Sequence, residues 1–196
     1  MNAIEDLAKL LKRLPGMGEK SATRLAYHLI RTDSSFNKAL GESIATIKDR
    51  IHPCPICGCY TEDDICAYCS SNDRDRTELC IVEEPQDVLS IASSGAYNGL
   101  FHVLGGAINP LDGVGPESLS FPALMKRISE GCFKEIIIAT NPTEEGDTTA
   151  LYIRHLLKDK DDIVLTRLAS GLPIGGDLGY ADKLTLARSM RGRVKL

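Results

Sequence analysis

Four thiols define the clearest chemistry in this chain. Cys54, Cys57, Cys66 and Cys69 form two C-x-x-C hooks separated by eight residues. Each hook can offer two thiolates to one ion at about 2.3 Å, and the intervening loop lets the second pair fold back onto the first. Such a set suits tetrahedral Zn²⁺. Four sulfur ligands leave no position for water or substrate, so the ion this pattern predicts is structural. Cys59 belongs to neither hook and reads as a spare thiol. A redox role would need one hook in a thioredoxin-like setting rather than two hooks facing each other.

Around this element the composition bounds the rest. At 196 residues and 43% hydrophobic, the chain can bury one good core and a smaller appendage. It has no run of about 18 apolar residues of the kind that spans a bilayer. The first residues, Met1 to Asp6, carry acids where a signal peptide would carry positive charge. Seven cysteines with four in a metal pattern fit a reducing cytoplasm better than a disulfide framework. The net charge of −4 is unevenly spread: residues 1–50 hold nine Lys and Arg against six Asp and Glu, leaving 14 against 21 for the remainder. That asymmetry points to a polyanion site near the N-terminus and an acidic remainder that meets something else.

The N-terminal segment has the parts such a site needs. Ile4, Leu7, Leu10, Leu11 and Leu14 recur at helical spacing with charges between them. Pro15-Gly16-Met17-Gly18 then interrupts the helix, and Lys20 to Ile30 forms a second one with Ala22, Leu25, Ala26, Leu29 and Ile30 on one face. Free N–H groups of a glycine hairpin and of the following helix start favour an anion. Lys20 and Arg24, four apart, project beside them. Gly16, Gly18, Lys20 and Arg24 are therefore the predicted phosphate-binding residues, and such contacts read backbone rather than sequence. Residues 31–52, with Leu40, Ile44, Ile47 and Ile51, read as a further helix packing on this pair and ended by Pro53.

After the hooks, residues 74–77 are polar and read as a linker. From Glu78 the pattern becomes strand and helix in alternation. Strands are expected at Leu79–Val82, Phe101–Leu104, Glu135–Ala139 and Ile163–Thr166. Helices are expected from Gln86, over Leu119–Gly131 and over Thr148–Lys158. Alternation implies a parallel sheet covered on both faces, with any site at the strands' carboxyl ends. Glu83 follows the first strand, while Glu145 and Asp147 follow the third. Carboxylates converging there could hold Mg²⁺, but weakly, since Asn141 and Thr143 supply neutral oxygens in the same stretch.

Three stretches carry resemblances. Leu14 to Ala26, L-P-G-M-G-E-K-S-A-T-R-L-A, resembles the helix-hairpin-helix motif of DNA-repair proteins. Ile81-Val82-Glu83-Glu84-Pro85 and Ala139 to Gly146 resemble the two acidic motifs of the Toprim domain of topoisomerases and primases, except that Asn141 and Thr143 stand where the second motif has aspartates. With the four-cysteine hooks between them, and a tail from Ala169 to Arg188, the whole chain is similar to the RecR family of recombination mediators. The resemblance implies an α/β protein in several parts: a helix-hairpin-helix subdomain (1–52), a four-cysteine zinc motif and linker (53–76), a Toprim-like parallel α/β domain (77–170) and a C-terminal tail (171–196).

It further implies a non-enzymatic, ring-forming DNA clamp, expected as a tetramer and acting in the bacterial cytoplasm at the nucleoid. Its partners would be gapped, single- or double-stranded DNA, together with RecO and RecF, and Glu83, Glu145 and Asp147 would lie on a partner-binding face or a vestigial Mg²⁺ site. The alternative is a Mg²⁺-dependent Toprim nuclease or primase.

Overall fold

The computed structural model describes residues 2–169 and 171–193. Ser170 and the last three residues of the expected tail lie outside the described residues. The chain divides into two compact units, Met1–Ile51 and His52–Leu196.

The first unit is helical. Helix α1 (Ala3–Leu11) starts on Asn2, whose side-chain oxygen accepts from the Glu5 N–H at 3.0 Å and satisfies one of the orphan donors of the first turn. Helix α2 (Glu19–Arg31) packs on α1 through Ala22 and Ala26, a pair one turn apart that lets the helix axes approach closely. These two alanines are the only buried side chains among the described residues of the unit. Helix α3 (Ser34–Arg50) begins on Asp33, whose carboxylate accepts from the Ser35 N–H. It differs from expectation. Instead of packing its apolar residues on the pair, it leaves Phe36, Leu40, Ile44 and Ile47 exposed along one stripe. Its recorded hydrogen bond to the pair runs from Asn37 Nδ2 to the Leu29 carbonyl at 2.7 Å. Three short helices with two buried alanines cannot cover that stripe themselves.

The second unit opens with a two-stranded ribbon, β1 (His52–Pro53) and β2 (Tyr60–Thr61), paired antiparallel. A single helical turn, α4 (Ala67–Ser70), follows. The sheet comprises β3 (Asp75–Val82), β4 (Gly99–Val103), β5 (Glu135–Ile138) and β6 (Val164–Arg167), all parallel in the order β4-β3-β5-β6. Strand period sends alternate residues of β3 to opposite faces. Leu79 and Ile81 join Leu100, Ile136 and Ile138 under the helices α6 (Phe121–Glu130) and α7 (Glu144–Leu156), through Phe121, Leu124, Ile128 and Ile153. Cys80 and Val82 join Phe101, Val103 and Val88 of helix α5 (Pro85–Ser93) on the other face. The last helix is α8 (Lys183–Arg191).

Several boundaries move from those expected, each for a local reason. The polar residues read as a linker include the start of β3: the Asp75 N–H donates to the Asn98 carbonyl at 2.9 Å, and Arg74 holds the Gly99 carbonyl at 2.7 Å. Helix α7 starts four residues earlier than Thr148, because Thr143 caps it by accepting from the Gly146 N–H. The acids Glu144, Glu145 and Asp147 therefore sit in its first turn, where the helix dipole favours them. Helix α5 starts at Pro85, with Glu84 and Asp87 forming a capping box. Strand β6 sits one residue later than read. No helix among the described residues is long and apolar enough to cross a membrane.

Candidate zinc centre, hairpin and Toprim face

The ribbon and α4 present the two hooks to each other. The Cys54 N–H donates to the Cys59 carbonyl at 2.7 Å and the Gly58 N–H to the Cys54 carbonyl at 2.9 Å, which turns the first hook tightly. Gly58 adopts φ +79°, a conformation open to glycine and costly for other residues. The second hook is wound by the Cys69 and Ser70 N–H groups, both donating to the Cys66 carbonyl at 3.0 Å. All four thiols are buried, and their sulfurs lie within 4.8 Å of one another, with Cys57 and Cys66 at 3.3 Å. A zinc–sulfur tetrahedron of about 2.3 Å bonds has sulfur–sulfur edges of roughly 3.8 Å. The cluster needs only small shifts to close on that geometry, so the donor set fits Zn²⁺.

Its protonation makes the same point. Thiol hydrogen bonds, first from Cys59 and then from Cys69, hold Cys57 down to about 2. Cys66 is pushed up to about 11, by burial first and then by Cys57. Cys69 is raised too, chiefly by its bond to Cys57. Crowded thiols of this kind resist ionising together, and a divalent cation held among them relieves that resistance. Cys59, also buried, donates to Cys57 but is not one of the four, as expected for the spare thiol.

The zinc motif shares a core with the sheet. The five thiols Cys54, Cys57, Cys59, Cys66 and Cys69 cluster with Cys80, Val82, Phe101 and Val103. Strand β4 is a sheet edge, and the Val103 N–H that would otherwise be left open donates to the Cys57 carbonyl at 2.7 Å. Tyr68 of α4 packs edge-on to Phe101 with ring centroids 5.3 Å apart, and the Arg74 guanidinium lies 4.7 Å over the Tyr68 ring.

The hairpin between α1 and α2 and the start of α2 carry the four residues expected to bind phosphate. The Arg13, Leu14 and Met17 N–H groups donate to the Leu10, Leu11 and Leu14 carbonyls, which tightens the chain after α1. Gly16 has φ +74° and is needed for the turn. Gly18 serves differently: it is the extended N-cap of α2 at φ −76°, and no atom beyond its two chain neighbours lies within 4 Å of where its Cβ would be. Its smallness opens space rather than permitting a conformation. Lys20 and Arg24 are exposed on α2 and, with Glu19 and Thr23, border one shallow depression. Glu19, in the first turn, is ion-paired to Lys12 at 3.3 Å across solvent.

The Toprim face is organised differently from a metal site. Glu83, only 7% exposed, ends β3 and directs both oxygens at Asn141: Oε1 accepts from the Asn141 N–H at 2.9 Å and Oε2 from its Nδ2 at 2.5 Å. Gly146 is fixed in place too, since a Cβ there would come within 2.0 Å of the Asn141 carbonyl oxygen. Asp147 is bound by two guanidiniums, Arg167 at 2.6 Å and Arg188 of α8 at 2.8 Å. These hold its carboxyl below the usual range, the Arg167 hydrogen bond contributing most. Glu145 is half-buried. Two of the three carboxylates are thus already engaged, and among the described residues the four cysteines are the only group of three or more ligating side chains within 4.8 Å. Glu83 and Asp147 are turned to donors of the chain itself rather than to a shared cation.

Arg167 and Arg188 went unread in the sequence. Arg188 lies 41 residues from Asp147 in a tail with no motif for pairing. Above this face a cleft of about 600 Å³ is lined by Asn141, Arg167, Thr185 and Arg188 among others.

Comparison with known proteins matches every part in order. Residues 4–48 match the RecR helix-hairpin-helix model, 51–71 the RecR four-cysteine zinc finger domain, 77–169 the Toprim domain and 171–194 the RecR C-terminal model. The chain is 55% identical over 195 residues to the recombination protein RecR of Treponema denticola, covering 100% of both chains. It is 51% identical to that of Treponema pallidum over 97% of this chain and 94% of the relative. With the RecR of Acidothermus cellulolyticus the identity is 47%, over 98% and 96%. Four thiols closing on a tetrahedron, a glycine hairpin ahead of them and a Toprim sheet with Glu83 and Asp147 engaged by donors fit one assignment: the chain belongs to the RecR family of recombination proteins.

Proposed function

We propose that this RecR-family chain is a recombination mediator that binds DNA and carries out no chemical step itself. It forms a ring-shaped clamp, a tetramer, which closes on gapped DNA and works with RecO and RecF to load the recombinase in place of single-strand-binding protein. Its site of action is the bacterial cytoplasm, at the nucleoid.

The observation that carries this reading is the exposed pair Lys20 and Arg24 beside the open N-terminus of α2. Two cations and a helix start bind phosphate weakly and without regard to base sequence. Closure of several copies around one duplex multiplies that weak contact by avidity. The uncovered stripe of α3, from Phe36 to Ile47, supports self-association, since an apolar row of that length is a surface for a second copy. On the Toprim face, Glu145 is the carboxylate available to a basic partner, and Glu83 and Asp147 shape the ground around it. A Toprim nuclease or primase would need Glu83 free for a metal, and its bonds to Asn141 argue against that.

The test is fluorescence anisotropy of a gapped duplex across several salt concentrations, with wild type and the K20A/R24A double variant. Each lost phosphate contact should reduce the slope of log affinity against log salt by about 0.7–0.9. Unchanged affinity in the variant would remove the hairpin from the reading. Nicking or primer synthesis abolished by E83Q would replace the reading with an enzymatic one.

A further inference from the structure

A zinc ion held by four thiolates carries a net charge of about −2, and burying such a charge is costly unless positive charge and hydrogen bonds surround it. The sulfurs therefore need partners outside the tetrahedron, and partners of this kind commonly govern how tightly the metal is kept. Cys54 has one in the chain itself: the Cys66 N–H points at its sulfur from 3.5 Å.

Cys69 is the most exposed of the four, at 8%. It borders a cleft of about 630 Å³ between the zinc motif and the end of α6, also lined by Ile56, Arg76, Lys126 and Cys132. Of the four ligands' surroundings, this side is the least enclosed. Arg127 stands there. It lies on α6, 58 residues along the chain from Cys69, and directs Nη2 at the Cys69 sulfur from 3.9 Å. Its Nη1 donates to the carbonyl of Phe101 on β4. One rigid, always-charged fork thus touches a zinc-binding sulfur and the edge strand of the sheet at once, a geometry a lysine cannot reproduce.

We propose that Arg127 is a positioning residue of the zinc centre. It gives the Cys69 thiolate a hydrogen bond and part of the compensating charge, and so makes zinc retention depend on α6 and β4 of the Toprim domain. The neighbouring Arg74 supplies the control. It ties the same two parts together, through the Tyr68 and Phe101 rings and the Gly99 carbonyl, without a recorded bond to sulfur.

The experiment follows zinc release from the full-length, zinc-loaded protein to a chromogenic chelator, with wild type, R127Q, R127K and R74Q. Loss of an outer-sphere partner typically costs roughly 10–100-fold in metal affinity. R127Q should release zinc at least about tenfold faster. R127K keeps the charge but loses the double reach, and should fall several-fold above wild type. R74Q should release at the wild-type rate even where its melting temperature drops. In cobalt-substituted protein, the thiolate-to-metal charge-transfer band should shift in the Arg127 variants and not in R74Q. Wild-type release from R127Q or R127K would overturn the proposal. So would release from R74Q as fast as from R127Q, since the effect would then be general loosening. Should R127Q fail to fold, the R127K and R74Q rates decide the matter between them.

Discussion

Replacing Asn141 by Asp asks whether the Toprim face is a weakened metal site or a rebuilt one. In the protein the Asn141 amide donates to Glu83 Oε2 at 2.5 Å and the Asn141 backbone N–H to Oε1 at 2.9 Å. N141D keeps the backbone bond, removes the amide donor and sets a carboxylate against a carboxylate that is only 7% exposed. A hydrogen bond to a charged group contributes about 1.5–3 kcal/mol. Like-charge repulsion at that separation adds to the loss, reduced because residue 141 faces solvent.

The total has a ceiling, because the pair can take up one proton and restore the bond as acid to carboxylate. From an ordinary carboxyl pKa of about 4, that proton costs about 5 kcal/mol at pH 7.5 and about 1.4 kcal/mol at pH 5. Urea unfolding should therefore show N141D destabilised by about 3 kcal/mol at pH 7.5, with about half of the deficit or more gone by pH 5. Millimolar Mg²⁺ should recover part of the deficit at pH 7.5 in the variant and leave wild type unmoved. A variant as stable as wild type at pH 7.5, or a deficit that does not shrink with acid, would refute the claim that Asn141 serves as the partner of Glu83.

Other perturbations test other contacts. D147N removes the charge that holds Arg167 and Arg188, and should raise hydrogen exchange in α8 while leaving β5 protected; unchanged exchange would mean the ion pairs do not hold the last helix. His102 is buried with Nδ1 unpartnered and is lowered to about 4, by burial first and then by Arg127. Because the unfolded chain takes up this proton and the folded one does not, its share of stability is whole above about pH 6.5 and declines as pH falls toward 4, an order of 3 kcal/mol in all. An H102L variant compared with wild type at matched zinc should show a flatter acid limb, and parallel limbs would count against the assignment. C57S should bind less than one zinc per chain by elemental analysis and lose near-ultraviolet signal from Tyr68 and Tyr97, whose rings pack on Phe101 beside the thiols. Intact zinc stoichiometry would exclude Cys57 as a ligand.

The parts that could be read in the sequence are those whose cause is local. Cysteine spacing sets a hook, because the turn that closes it spans a few residues; Cys54, Cys57, Cys66 and Cys69 meet as their pattern requires. Hydrophobic runs at Leu79–Val82 and Glu135–Ala139 become central strands because burial on both faces leaves no polar position to disguise them. What escaped depends on distant residues. Nothing near Asp147 announces Arg188, and nothing near Cys69 announces Arg127. The apolar positions of α3 were visible, but the pattern does not say what covers them; they read as core and stand exposed. The glycines divide the same way. Gly16 is explained by its own backbone angle, whereas Gly18 has an ordinary angle and open space beside it.

The polar residues between the zinc motif and the sheet join the two directly rather than separating them. Sequence patterns change at Glu78, yet β3 already runs from Asp75, and the thiols form one apolar cluster with Val82, Phe101 and Val103. One face of the sheet is covered by α6 and α7, and much of the other by α5 and the zinc motif. A parallel sheet is stable only with both faces covered. Where a helix would ordinarily close the β4 side, this chain uses four thiols, a tyrosine and a carbonyl that caps the edge through Val103. The ribbon and α4 thereby belong to the core under one face of the sheet, the face that takes Cys80 and Val82 of β3 and Phe101 and Val103 of β4. Zinc removal by a chelator should therefore raise hydrogen exchange in β3 and β4 as well as in the hooks, and exchange confined to the hooks would show that the sheet keeps this core without the metal.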